Sequence, residues 1–125
     1  MNNTDNINIL SLAFLGDAVY SLMVRERLVT DSALPAGKLH RESVGFVSAS
    51  AQSEAMHKLL PLLTEEENDI FHRARNAHPH HTPKNQSIGD YHYATALEAL
   101  FGYLYLKKDY ERLSQLFSVI NSQEV

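Results

Sequence analysis

From Ile7 to about Leu28 the apolar residues Leu12, Leu15, Val19 and Leu22 recur at helical spacing. The pattern predicts one long helix with Asp5 or Asn6 as its N-cap and Arg25 and Arg27 in its last turn, where cations suit the helix dipole. Residues 30–34 read as a turn. Pro35 then opens a helix to about residue 45, with Leu39 and Val44 inward and Lys38, His40 and Arg41 outward. The small residues between Gly45 and Ala51 mark a break or bend. Helical spacing returns from about Ser48 to Leu60 (Ala51, Ala55, Met56, Leu59), and Pro61 ends it. Thr64 followed three residues later by Glu67 is a capping box, and it starts a helix to about Ala77. Ile70 and Phe71 face inward there, Arg73 and Arg75 outward. Residues 78–87 are polar and hold two prolines, which forbids a helix; irregular stretches of this length in small domains commonly carry function. Asp90 caps a helix that ends near Leu106, and Asp109 starts a last one striped by Leu113, Leu116, Phe117 and Ile120. No strand pattern, internal repeat or second domain is visible. The expectation is a single all-α domain over residues 1–125.

Two of these helices break their own pattern. In Leu12-Ala13-Phe14-Leu15-Gly16-Asp17-Ala18-Val19-Tyr20, the helical neighbours of Asp17 are Leu10, Ala13, Phe14, Tyr20 and Val24, so the carboxylate is expected on a buried stripe. In Tyr93-Ala94-Thr95-Ala96-Leu97-Glu98-Ala99-Leu100-Phe101-Gly102, Glu98 is surrounded by Tyr91, Ala94, Thr95, Phe101, Gly102 and Tyr105. Burying an unpaired charge is expensive, and a glycine inside a helix costs about 1 kcal/mol relative to alanine. Each acid has such a glycine close by, which would let another backbone approach. One physical account is that the two helices cross and their acids share a cation. The other is that each acid meets an arginine or sits at a helix margin in water.

Composition narrows the setting. The 125 residues are 44% hydrophobic and 21% charged, ordinary for a globular protein, and contain no cysteine. Disulfides and thiolate metal sites are therefore excluded, and a reducing compartment fits. The polar start, Met1-Asn2-Asn3-Thr4-Asp5-Asn6, lacks a signal-peptide layout, and no apolar run approaches the roughly 18 residues of a membrane span. A cytoplasmic protein is expected. The net charge of −4 is unevenly spread. Between Ile70 and Gly89 there is no acid, while Arg73, Arg75 and Lys84 make that segment +3 and leave the rest at −7. Five of the seven histidines (His72, His78, His80, His81, His92) lie in or beside it. A basic patch on an acidic protein suits an anionic ligand.

Several chemistries find little support. His78-x-His80-His81 in a loop without acids is not a preformed zinc geometry, and a solvated or phosphate-facing loop is the expectation. There is no Gly-x-Ser-x-Gly elbow for a nucleophilic serine. Tyr20, Tyr103 and Tyr105 read as core, whereas Tyr91 and Tyr93, beside the basic segment, are candidate contacts. Glu65 to Asp69 reads as a solvated charge run at a helix N-terminus. What remains is a pair of helical carboxylates beside a basic loop, a combination suited to metal-assisted phosphodiester hydrolysis. A helical interaction domain carrying two unusual acids is the reading that residues alone leave open.

The stretch Leu12 to Tyr20 resembles the signature of the ribonuclease III family, approximately E-R-L-E-F-L-G-D-[SA]-V-L. Ala94-Thr95-Ala96-Leu97-Glu98-Ala99-Leu100-Phe101-Gly102 resembles the family's second acidic motif, A-D-x-x-E-A-[LI]-x-G, in the same order and at a similar separation. Over nearly its whole length the chain is similar to the short bacterial branch that has the nuclease domain alone. Arg73-x-Arg75-Asn76-Ala77 and Thr82-Pro83-Lys84-Asn85 are similar to loop motifs of that branch. The departures are specific. Leu10 and Ala13 occupy the places of two glutamates, and Thr95 stands where the second motif has aspartate.

The resemblance implies a homodimer whose signature helices pack against each other. It implies an endoribonuclease that cuts double-stranded RNA, leaving a 5′-phosphate and a 3′-hydroxyl, with maturation of 23S ribosomal RNA from its precursor stem as its role. Asp17 and Glu98 would be the catalytic and metal-binding residues, with Mg2+ as cofactor and Mn2+ as a substitute. Arg73, Arg75, Asn76, Thr82, Lys84 and Asn85 would bind RNA. No room is left for an appended double-stranded-RNA-binding domain, so the grip on RNA would fall to the nuclease domain itself. A ribosomal protein that presents the RNA is a further partner to test for. The thinned acid set motivates one alternative, a catalytically inactive module that binds duplex RNA.

Overall fold

The computed structural model describes residues 6–77 and 88–122. The described residues form six α-helices and no strand, in keeping with the all-α reading: α1 (Ile9–Asp31), α2 (Ala36–Val47), α3 (Ala49–Leu59), α4 (Glu65–Arg75), α5 (Ile88–Leu106) and α6 (Tyr110–Asn121). A short 3-10 turn, Leu60–Leu62, follows α3 and holds Pro61 in its first turn, where a missing N–H costs nothing. None of the described helices is long and apolar enough to cross a membrane.

The domain is assembled around α5. Every residue from Ala94 to Leu104 except Glu98 is buried, as expected of a helix that is apolar on all sides. Its main partner is α1; α3 and α4 pack on its other sides, and α6 closes one end against α3 and α5. Tyr20 of α1 sits edge-on to Phe101 and Phe117, at centroid distances of 5.2 and 5.8 Å, and ties α1, α5 and α6 together. Burial pushes its hydroxyl up to about 12. α2 lies outside this core, with Ser43 its one buried residue.

Helix boundaries follow capping chemistry. The N-cap of α1 is Asn8, whose Oδ1 accepts from the Leu10 amide at 2.8 Å; it is neither Asn6 nor Asp5, the latter lying outside the described residues. The helix runs three residues past the expected stop, so Arg25 and Arg27 fall before its last turn. Thr64 and Glu67 close the capping box reciprocally at 3.0 and 3.1 Å, and Asp109 caps α6 through the Arg112 amide. Asp90 lies within the first turn of α5 and is not its cap, since that helix begins at Ile88.

Four expectations about faces need correction. The core face of α1 is Leu12, Ala13, Gly16, Val19, Tyr20 and Val24, whereas Leu22 is 65% exposed and Phe14 84% exposed. At about 100° per residue, Phe14, Ala18, Leu22 and Val29 form a second apolar stripe, turned away from the core. Val44 and Tyr105 are also exposed. The acidic run that begins α4 does not simply face water. Glu67 is 3% exposed and receives two 2.8 Å hydrogen bonds from the guanidinium of Arg112, which also donates to the Leu62 carbonyl. Burial alone would raise the Glu67 carboxyl, but hydrogen bonds from Arg112 and Thr64 outweigh it and hold the group below its ordinary range.

Candidate active site

The tightest point of the fold is where α1 crosses α5. A Cβ on Gly16 would overlap the main-chain carbonyl of Glu98, and one on Gly102 would overlap the carbonyl of Leu12. Both contacts are backbone against backbone, so no side-chain rotation could relieve them. The two glycines therefore set the distance between the helices. Asp17, directly after Gly16, is carried to the same place as Glu98, whose own carbonyl lies on Gly16.

The consequence is a pair of facing carboxyls. Glu98 is half-buried, and its carboxyl is pushed up to about 8. Burial is the largest cause; the negative charge of Asp17 follows, and then a hydrogen bond in which a proton on Glu98 is shared with Asp17. Asp17 itself is exposed. The expectation that it lies on a buried stripe is corrected: it stands at the edge of the crossing, next to the open face that carries Phe14. The two acids do meet, as the shared-cation account requires, and neither rests on an arginine.

A third polar side chain reaches this place, one that the motifs do not single out. Gln52 of α3 is 2% exposed, and its amide leans on Glu98, where it favours the charged form. Its Nε2 finds no partner at full hydrogen-bonding geometry. A signal for it exists in the sequence. Ala55, Met56 and Leu59 lie three, four and seven residues further on, so Gln52 is a polar residue on an apolar helical face, as Glu98 is. Thr95, in the place of the motif's aspartate, turns its hydroxyl back to the Tyr91 carbonyl at 2.9 Å.

The basic residues sit at one end of α4. Arg73 is exposed and loosely paired with Asp69 at 3.9 Å. Arg75 lies over the Phe71 ring, 5.5 Å from its centroid, and donates to the Asn76 side chain at 3.3 Å. Phe71 in turn meets Tyr93 of α5 at 5.5 Å. Five residues of α5 separate Tyr93 from Glu98, roughly 7.5 Å of helix rise, so the cationic end of α4 adjoins the stretch of α5 that leads to the acids. Thr82, Lys84 and Asn85, together with His78, His80 and His81, lie outside the described residues.

A model of the ribonuclease III domain matches residues 10–109. The chain belongs to the ribonuclease III family. It is 46% identical over 110 residues to the Mini-ribonuclease 3 of Thermoanaerobacter sp., covering 88% of this chain and 78% of that one. With the Mini-ribonuclease 3 of Streptococcus pneumoniae it shares 39% identity over 120 residues, covering 94% of each. A crystal structure of a protein from Fusobacterium nucleatum superposes with a TM-score of 0.85 at 31% identity, covering 93% of this chain and 94% of that one. The family resemblance read from the two acidic motifs is thus borne out, and the chain is an endoribonuclease of this family.

The crossing offers two carboxylates to a cation. Among the described residues no group of three or more His, Cys, Asp or Glu side chains comes together. Two hard oxygen donors suit Mg2+, which keeps much of its water shell and commonly takes only one or two carboxylates from a protein. They do not make a zinc site, which wants three or four ligands. The unpartnered Gln52 amide shows further that polar capacity at the crossing is unspent.

Proposed function

We propose that this protein is a Mg2+-dependent, double-strand-specific endoribonuclease that matures the ends of 23S ribosomal RNA from its precursor stem, acting as a homodimer. The observation that carries the reading is the Asp17–Glu98 pair, forced together by the glycine crossing and, among the described residues, in no ion pair with a basic side chain. Asp17 and Glu98 would hold the metal, which, when bound, supplies a nucleophilic water at neutral pH and offsets the charge developing on the phosphate.

Each protein group then has a definite task. Glu98 must give up its proton to take part; burial, and after it the charge of Asp17, holds that proton on, and a cation held by the pair would favour its release. Arg73 and Arg75 supply positive charge for phosphates of a duplex, which is read mainly by shape and through its phosphates and 2′-hydroxyls. Asn76 is assigned the same role, as are Thr82, Lys84 and Asn85, which lie outside the described residues. The exposed stripe Phe14, Ala18, Leu22 and Val29 is the surface that dimer formation would cover. Two such sites, one from each copy, would cut the two strands of one duplex.

The test is cleavage of an end-labelled RNA duplex in Mg2+, wild type beside Asp17→Asn, with single-stranded RNA as control. Duplex-specific cutting that leaves 5′-phosphate ends and disappears in the variant is expected. Salt-sensitive binding without cutting, in Mg2+ and in Mn2+ alike, would instead establish the inactive duplex-binding module. A precursor carrying the 23S terminal stem, compared with an unrelated duplex of equal length, tests the substrate assignment.

A further inference from the structure

The crossing of α1 and α5 does not account for Gln52. This residue comes from a third helix, α3, and is as buried as the hydrophobic core. α3 runs antiparallel across α5: the ring of His57 meets that of Tyr93 at 4.2 Å. Five residues back along α3 and five forward along α5, the same register brings Gln52 to Glu98. The His57 ring is itself held within α3 by its Nδ1, 2.8 Å from the Ser53 carbonyl.

A buried amide N–H without a partner is rare and costly in a folded protein. Gln52 would be better replaced by leucine if packing were its only task. Its free donor is the kind of group that acquires a partner when the site changes state. The carboxyl within its reach is that of Glu98, which the glycine crossing sets beside Asp17. We propose that Gln52 is a positioning residue of this site, its buried amide donating to the Glu98 carboxylate and holding it beside Asp17, where the pair would take a cation. The inference rests on the metal reading proposed above. Outer partners that orient metal-binding carboxylates typically contribute about 10–100-fold to metal affinity or activity.

The test uses Gln52→Met, which keeps length and volume and removes the amide. Mn2+ binding to the protein without RNA is measured by calorimetry, and melting temperature is recorded with and without the ion. Expected are Mn2+ binding weakened by tenfold or more, a metal-free melting temperature that holds or rises, and a lower kcat on duplex RNA with KM unchanged. A purely structural role predicts the reverse: a lower metal-free melting temperature with Mn2+ affinity within twofold of wild type, and that result overturns the inference. If Gln52→Met does not fold, Gln52→Asn, whose amide is one methylene too short, carries the same expectation. Absence of Mn2+ binding by wild type, beside an Asp17→Asn control, overturns the metal reading itself and this inference with it.

Discussion

Replacing Glu98 by glutamine should make the metal-free protein more stable while abolishing its chemistry. The unfolded carboxyl titrates near 4.5 and the folded one near 8. Between these values the native state holds a proton that the unfolded state has released, so stability falls as pH rises through the window. Below about pH 4.5 no penalty exists, and above about pH 8 it is complete. At about 1.4 kcal/mol per pH unit, the full penalty is about 5 kcal/mol as an upper bound, and at pH 7 it is about 3 kcal/mol. Glutamine has nothing to ionise. Glu98→Gln should therefore escape the loss, keep the Gln52 contact, and gain on the order of 2–3 kcal/mol at pH 7 over wild type in EDTA.

The assay is urea denaturation of both proteins between pH 5 and 8.5, in EDTA and again in Mg2+. The difference between the two proteins carries the signal, because the histidines and the other carboxylates titrate in both. That difference should grow steadily from pH 5 to pH 8 in EDTA. Mg2+ should stabilise wild type and leave Glu98→Gln unmoved, which narrows the gap by linkage. Parallel pH profiles in EDTA would refute the reasoning, since they would mean that Glu98 meets Asp17 at no cost.

Gly16→Ala should separate α1 from α5, because its Cβ has only backbone to push against; overpacking of this kind costs about 1–3 kcal/mol or more, and Mn2+ binding and duplex cleavage should fall together. Phe14→Asp with Leu22→Asp places two charges on the outer stripe of α1 and replaces no core residue; sedimentation should show a dimer for wild type and a monomer for the variant, with helical content unchanged in circular dichroism. Arg112→Met leaves Glu67 buried without its cation, and breaking such a pair costs about 3–5 kcal/mol when fully buried. Denaturation should show a loss near or below the low end of that range, since Arg112 is partly exposed. Because Glu67 titrates below its ordinary value, its share of wild-type stability should vanish as pH falls below about 4.5, and the variant should lack that acid-side loss.

Much of the helix inventory was legible because capping and proline chemistry are local: Thr64 with Glu67, Asp109 and Pro61 act within one turn of themselves. The faces of α1 were not. A helix with apolar residues around most of its circumference has two stripes, and periodicity cannot say which one meets the core. Leu12 and Val19 belong to the inner stripe and Leu22 to the outer, although all three fit one helical spacing. The misplacement of Asp17 follows from the same ambiguity, since its apolar neighbours Phe14 and Leu10 belong to the open side. Glu67 was missed for a different reason. Its partner Arg112 is 45 residues away, and no local pattern announces a contact of that range. Gln52 shows the converse: the signal that found Glu98 was present on α3 but was applied to acids alone.

Where α1 crosses α5, three costs coincide: glycines inside two helices, two carboxyls in contact, and a buried amide donor without a partner. Each would disappear on substitution by an apolar or neutral residue. A single cation held between Asp17 and Glu98 would offset the second cost outright and would fix the carboxylate that the Gln52 amide faces. An inactive duplex-binding module does not explain this arrangement. Binding to phosphates would draw on Arg73 and Arg75 under the proposed function, and two nearby carboxylates would oppose it unless a cation neutralised them. On the proposed function the acids would hinder RNA without a cation and help it with one. RNA affinity should accordingly rise with Mg2+ in wild type and be indifferent to it in Glu98→Gln.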